Sequence, residues 1–248
     1  MKIAKIAIPA GIVAIAAVVI FRSQSNLDWV TITHDPVPPD WAAIAAWPSL
    51  EADLVDALPD PNRRITAIVL DDSGSMGSDM EAAKQAVVDA LSAMQDTDRV
   101  AVVALNAGVV LPFASVADAR RTLPAALAPI RDTGSTPLTR AILDTQAMLE
   151  AEASSVRGFG TFRMIVTTDG AADDGEALQR AIEDLAAKTP IQLTTIGIGI
   201  RGNHVLRRAD LGSFVDVANV AALEGALQAA VAENDNFAAI TEFTDGEG

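Results

Sequence analysis

Asp71-Asp72-Ser73-Gly74-Ser75, Gly134-Ser135-Thr136-Pro137 and Thr167-Thr168-Asp169-Gly170 gather carboxylates and hydroxyls in three separate parts of the chain, with no thiol or imidazole among them. Oxygens of this kind are hard ligands, suited to Mg²⁺, Mn²⁺ or Ca²⁺ rather than zinc or copper. The first stretch directly follows the apolar run Ile65-Thr66-Ala67-Ile68-Val69-Leu70, and the third follows Phe162-Arg163-Met164-Ile165-Val166. The second opens a helical pattern. In an open α/β sheet, ligands gather outside the carboxyl ends of the strands, so the three loops can converge on one edge. A lone acid-x-Ser-x-Ser is a weak signal, because such stretches are common capped turns. Three pieces in order, each beside the right kind of element, make a specific one.

The elements that would position these loops alternate from Ile65 onward. Strands are predicted at 65–71, 99–105, 108–113, 162–168, 191–198 and 213–217, and helices at about 79–95, 116–128, 137–153, 175–187, 203–209 and 220–233. In the first of these helices Ala83, Ala86, Val87, Ala90, Leu91 and Met94 recur at helical spacing. The runs Ile65–Leu70 and Leu193–Ile198 are nearly all apolar or β-branched, as parallel strands covered on both faces must be. Val109–Phe113 follows Leu105-Asn106-Ala107-Gly108 closely enough to be a hairpin return. The expected fold class is α/β: a doubly wound, mostly parallel sheet with one antiparallel edge strand and helices on both faces, preceded by an N-terminal transmembrane helix.

Ile68-Val69-Leu70-Asp71-Asp72-Ser73-Gly74-Ser75-Met76, Gly134-Ser135-Thr136-Pro137-Leu138 and Asp169-Gly170 together resemble the von Willebrand factor A (VWA) domain family and its metal-ion-dependent adhesion site, in the manner of membrane-anchored bacterial VWA proteins. The resemblance covers roughly residues 64–233, and no position of the five-residue pattern departs from it. It implies one divalent cation, Mg²⁺ preferred and Mn²⁺ or Ca²⁺ the alternatives. Ser73 and Ser75 would give it hydroxyl oxygens, and Thr136 another in the ligand-bound state. Asp71 and Asp169 would act mainly through metal-bound waters. Such an ion keeps residual positive charge and seeks an anionic oxygen from a partner. Asp72 takes the variable position and is expected to be an exposed loop acid. Asp173 and Asp174 are expected to be solvated loop acids, with a role at the site rim the alternative.

Outside the domain, residues 6–21 are uncharged and mostly apolar, flanked by Lys2, Lys5 and Arg22. A helix of that length reaches about 24 Å, near the short limit for crossing a bilayer. No small-x-small pattern follows the run, so an uncleaved anchor is preferred to a cleaved signal peptide, after which the protein would be secreted. The lysines ahead of the run place the domain on the extracytoplasmic side. Residues 23–63 form a strap holding all three tryptophans, Trp29, Trp41 and Trp47, and six of the twelve prolines. Asp40 to Trp47 reads as a short capped helix stopped by Pro48, and Ser49 could cap a second one through Leu58. The tryptophans are expected to pack the strap on the domain; docking a partner, or Trp29 at the membrane interface, is the alternative. Residues 234–248 are an acidic tail.

With no cysteine, the chain has neither disulfides nor thiol chemistry. Its net charge of −15 becomes −18 once the +3 of residues 1–22 is set aside, which argues against nucleic-acid binding. Gly197-Ile198-Gly199 and Arg201-Gly202-Asn203 complete no phosphate-loop motif and read as a tight turn. His34 and His204 read as surface or capping residues, and neither Ser73 nor Ser75 has a nearby base other than carboxylates. The expected function is therefore not enzymatic. It is a membrane-anchored, metal-dependent module that binds an acidic residue of a protein partner in adhesion or complex assembly. Self-association through Glu242, Asp245 or Glu247 is a further option. The alternatives are a subunit of an ATPase-linked or envelope assembly complex and, less favoured, a metal-assisted hydrolase.

Overall fold

The apolar runs become a six-stranded sheet because each has two faces to bury. In the computed structural model, which describes residues 36–49 and 62–232, the strands are β1 (Arg64–Leu70), β2 (Arg99–Ala104), β3 (Gly108–Ser115), β4 (Thr161–Thr168), β5 (Gln192–Ile198) and β6 (Ser213–Val217). Their order is β3-β2-β1-β4-β5-β6. All neighbours are parallel except β3, which returns antiparallel beside β2. The expected antiparallel edge strand is therefore present, and it runs two residues further than the apolar pattern suggested.

Side chains alternate along each strand, and the alternation sorts the core into two layers. Ile68, Leu70, Val100, Val102, Ile165 and Ile196 face one side, covered by α2 (Met80–Ala90), α3 (Val116–Leu127) and α6 (Leu223–Ala232). Ile65, Ala67, Val69, Phe162, Met164 and Val166 face the other, covered by α4 (Leu138–Ser155) and α5 (Gly175–Lys188). The central strand β1 is buried from Ile65 to Leu70 without interruption.

Local chemistry sets the helix starts. Ser115 Oγ accepts from the Asp118 N–H and opens α3, and Asp174 Oδ1 accepts from the Ala177 N–H and opens α5. The helix expected over 79–95 is α2 followed by a 3₁₀ turn at Leu91–Ala93, and 3₁₀ turns over Gly74–Asp79 precede it. Gly77, at φ +44°, breaks the Gly74–Asp79 turns, so the chain re-aims before α2 begins.

The helix expected at 203–209 is a correction. Only one 3₁₀ turn forms, at Val205–Arg207. Arg208 is extended at ψ 111°, and its guanidinium is spent on Glu183 and Asp210 instead. One pair is long-range, to Glu183 on α5, and the other local, to Asp210.

The capped helix read in the strap is present as α1 (Trp41–Ala46), with Asp40 Oδ1 accepting from the Ala42 and Ala43 N–H groups at 3.1 and 3.0 Å. Trp47 packs edge-on against Phe162, ring centroids 4.7 Å apart, whereas Trp41 is 72% exposed. The expectation that the tryptophans hold the strap down is thus met by Trp47 and not by Trp41. The apolar segment 6–21, Trp29, His34, the second strap helix beyond Ser49 and the tail all lie outside the described residues. Among the described residues, no helix is long and apolar enough to cross a membrane.

Candidate metal centre

The sheet reverses its winding between β1 and β4, and the crevice at such a reversal lies at the strands' carboxyl ends. Asp71 follows the last residue of β1 and Asp169 the last of β4, so the topology puts both carboxylates at that crevice. Four of the five residues marked in the sequence form one continuous chain of contacts. Asp71 Oδ1 accepts from the Ser73 N–H at 2.9 Å, and Oδ2 accepts from the Asp169 N–H at 3.3 Å. Ser73 Oγ lies 3.0 Å from Ser75 Oγ, which donates to Asp169 Oδ1 at 2.7 Å. Asp71 is held from behind as well: its N–H donates to Thr167 Oγ1, whose hydroxyl donates to the Val69 carbonyl.

The fifth residue, Thr136, is brought to the same edge by its backbone. Thr133 N–H donates to the Asp72 carbonyl at 2.8 Å, and Gly74 N–H to the Gly134 carbonyl at 3.2 Å. Thr136 N–H donates to Asp173 Oδ1 at 3.0 Å, and Pro137 then leads into α4.

Electrostatically the site is short of positive charge. Asp71 is fully buried and Asp169 half-buried. Burial pushes the Asp169 carboxyl above its ordinary range; the Ser75 hydroxyl opposes this, while the charges of Asp71 and Asp79 add to it. The carboxylates of Asp71 and Asp169 and the hydroxyls of Ser73 and Ser75, with the Thr136 loop fastened beside them, are oxygen donors of the kind that fits a hard divalent cation.

Asp72 is the main correction. It is fully buried rather than an exposed loop acid, and its carboxylate turns away from the crevice into the β2–β3 turn. Oδ1 accepts from the Asn106 N–H at 2.7 Å and the Asn106 side-chain amide at 3.2 Å, and Oδ2 from the Ala107 N–H at 3.0 Å. That amide also donates to the Ser135 carbonyl at 2.9 Å, so Asn106 links the turn to the Thr136 loop. Gly134 is needed there twice over: its φ is +72°, and a Cβ would lie 2.5 Å from Asn106 Oδ1.

Asp173 and Asp174 are exposed, as expected, but both are engaged. Asp174 caps α5, and Asp173 binds Ser135 and Thr136. His204 caps its turn, as read from the sequence, by accepting from the Leu206 N–H at Nδ1. Its Nε2 meets the Gly170 carbonyl at 3.2 Å, next to Asp169. The sequence placed Asn106 in the hairpin turn but not its bridge between Asp72 and Ser135. Its one signal was an Asn-Ala-Gly turn at the end of a strand that must lie beside β1.

Comparison with known proteins agrees with this fold. Residues 67–245 match the family model of the von Willebrand factor type A domain. No curated protein matches the chain. Among solved structures, a von Willebrand factor type A protein from Catenulispora acidiphila superimposes with a TM-score of 0.58 at 23% identity, over 69% of this chain and 42% of its own. The pilus adhesin SpaC of Lactobacillus rhamnosus GG gives 0.56 at 15% identity, over 71% of this chain and 30% of its own. The manganese-loaded TRAP protein of Plasmodium vivax gives 0.50 at 16%, over 68% and 74%. At these identities the likeness is one of fold, and the chain spans less than half the length of the first two. The family match extends over most of the chain and over every marked loop: the chain belongs to the von Willebrand factor type A domain family.

Proposed function

We infer that the domain is a divalent-metal-dependent protein-binding module, in which Asp71, Ser73, Ser75, Thr136 and Asp169 would hold one ion able to accept a carboxylate from the partner. The observation that carries this is the closed ring of hydrogen bonds Asp71–Ser73–Ser75–Asp169, two through side-chain oxygens and two through backbone N–H groups, at the sheet's switch point. Bound there, a divalent ion supplies Lewis acidity toward an incoming anionic oxygen. The residues' own part is to hold the oxygens together. Asp71 does so from a buried position fixed by two backbone N–H groups, and Ser75 by joining the two loops.

Binding rather than turnover is the better assignment. The hydroxyls of Ser73 and Ser75 engage each other and a carboxylate. The His204 ring is committed to Leu206 and Gly170, so it is not poised as a base for either. That relatives of the same fold include a pilus adhesin and a manganese-loaded protein supports the reading. Lys2 and Lys5 ahead of the apolar segment 6–21 support a membrane-anchored, extracytoplasmic placement.

The test is calorimetric titration of Mg²⁺ and Mn²⁺ into the full chain and into Asp71→Ala, followed by retention of each on a carboxylate resin. The wild type should bind the ion at least about tenfold more tightly than the variant. Mn²⁺ should retain it on the resin and EDTA release it. Equal ion binding by both proteins, or retention that survives EDTA, would sink the reading.

A further inference from the structure

Thr136 reaches the site through bonds made by neighbouring loops, and one exposed acid supplies three of them. Asp173 lies four residues beyond Asp169 in the β4–α5 connection. Its Oδ2 accepts from the Ser135 hydroxyl at 2.6 Å and its Oδ1 from the Thr136 N–H at 3.0 Å. In return, the Asp173 N–H donates to the Thr136 carbonyl at 3.1 Å. These three bonds join the loop carrying Asp169 to the loop carrying Thr136. The next residue, Asp174, caps α5 and so fixes the far side of the clamp to a helix of 14 residues. On the other flank, the Asn106 amide holds the Ser135 carbonyl and is itself held by buried Asp72.

We propose that Asp173 is a positioning residue for the metal centre: it sets the Thr136 hydroxyl relative to Asp169, and it works through hydrogen-bond geometry rather than through its charge. The inference rests on the metal-binding reading above. The geometry distinguishes it from the bland role of a rim acid. A rim acid would present its oxygens to solvent or to the crevice, whereas both Asp173 oxygens face the 135–136 backbone and hydroxyl. A side-chain amide can reproduce that pattern. In Asp173→Asn the amide oxygen accepts from the Thr136 N–H, while the NH₂ donates to the Ser135 hydroxyl, which can accept as well as donate. Alanine can make neither bond. Outer-shell partners of this kind are worth roughly 10–100-fold in metal affinity.

The experiment measures Mn²⁺ affinity in acetate buffer, acetate standing for the partner carboxylate, by calorimetry and by the loss of the free-ion electron paramagnetic resonance signal, for the full chain and four variants. These are Asp173→Ala, Asp173→Asn, Thr136→Val and the double variant Asp173→Ala/Thr136→Val. The expected result is affinity about tenfold weaker in Asp173→Ala, near wild type in Asp173→Asn, and no weaker in the double variant than in Thr136→Val alone. Non-additivity of this sort is the mark of one residue acting through another. Wild-type affinity in Asp173→Ala would overturn the proposal and leave the metal reading intact. So would equal losses in the alanine and asparagine variants, or a loss in Asp173→Ala that Thr136→Val does not share. A wild type that fails to take up Mn²⁺ would overturn the metal reading, and the clamp with it.

Discussion

The His204 ring accepts the Leu206 N–H at Nδ1, and its Nε2 sits 3.2 Å from the Gly170 carbonyl. Both contacts are made at once only by the neutral ring carrying its proton on Nε2. Burial moves its pKa below the ordinary 6.5, and Arg207 adds to the effect, against the Gly170 bond. The sign follows directly: the unfolded chain binds this proton before the folded one does, so stability rises with pH across the interval. His204 should therefore cost nothing above about pH 7.5 and progressively destabilise the fold as pH falls through 6.5. Thermal melts at about pH 7.5 and pH 5.5 should show a smaller drop in His204→Asn, which keeps a capping oxygen but does not titrate. An equal drop in both proteins would remove His204 from the account. At this scale the sequence told much about ligand types and little about which way side chains turn. Asp71 and Asp72 are adjacent and both buried, yet one faces the crevice and the other a turn at Asn106. Nothing local to Asp72 announces donors that far along the chain.

Elements were legible where period and length agreed, as in β1, β4, α4 and α5, because burying a face demands the pattern that betrays it. The exceptions go with contacts that local spacing does not announce, such as the pairing of Arg208 with Glu183 on α5 where the 203–209 segment leaves its single 3₁₀ turn. The strap shows the same limit. Composition marked its tryptophans as packing residues, but only contacts separate Trp47 from Trp41. Asp40 N–H donates to the Ala187 carbonyl at the end of α5, Trp47 meets Phe162, and the Ser49 N–H and hydroxyl both go to Glu150 on α4. The strap is thus fastened to two helices and a strand. Trp47→Ala should cost about 2–4 kcal/mol in urea unfolding, below the top of the range because the ring is half-buried. Trp41→Ala should stay within about 0.5 kcal/mol of wild type. Comparable losses from the two would mean that the helix, rather than the Phe162 contact, holds the segment.

At the scale of the whole molecule, the metal reading couples one edge of the sheet to the stability of all of it. The ligand loops leave β1, β4 and the start of α4, three elements that share the core facing α4 and α5. An ion that binds only the folded chain stabilises by mass action, about 2.7 kcal/mol at a free concentration a hundred times its Kd. For a domain of this size that is a rise in Tm of about 5–10 °C. Mn²⁺ should produce such a rise in the wild type, EDTA should reverse it, and Asp71→Ala, binding at least about tenfold more weakly, should show no more than about half of it. The net charge of −15 adds a second, separable signature. An acidic molecule concentrates divalent cations near its surface, and salt screens that attraction over roughly 10 Å at 0.1 M ionic strength. At one fixed, subsaturating Mn²⁺ concentration, the rise should therefore shrink as NaCl is raised from about 0.05 to about 0.5 M. A rise that is large and independent of salt would assign the affinity to the site's own oxygens. A rise that vanishes with salt and is shared by Asp71→Ala would assign it to the acidic surface, and would count against the crevice as a metal centre.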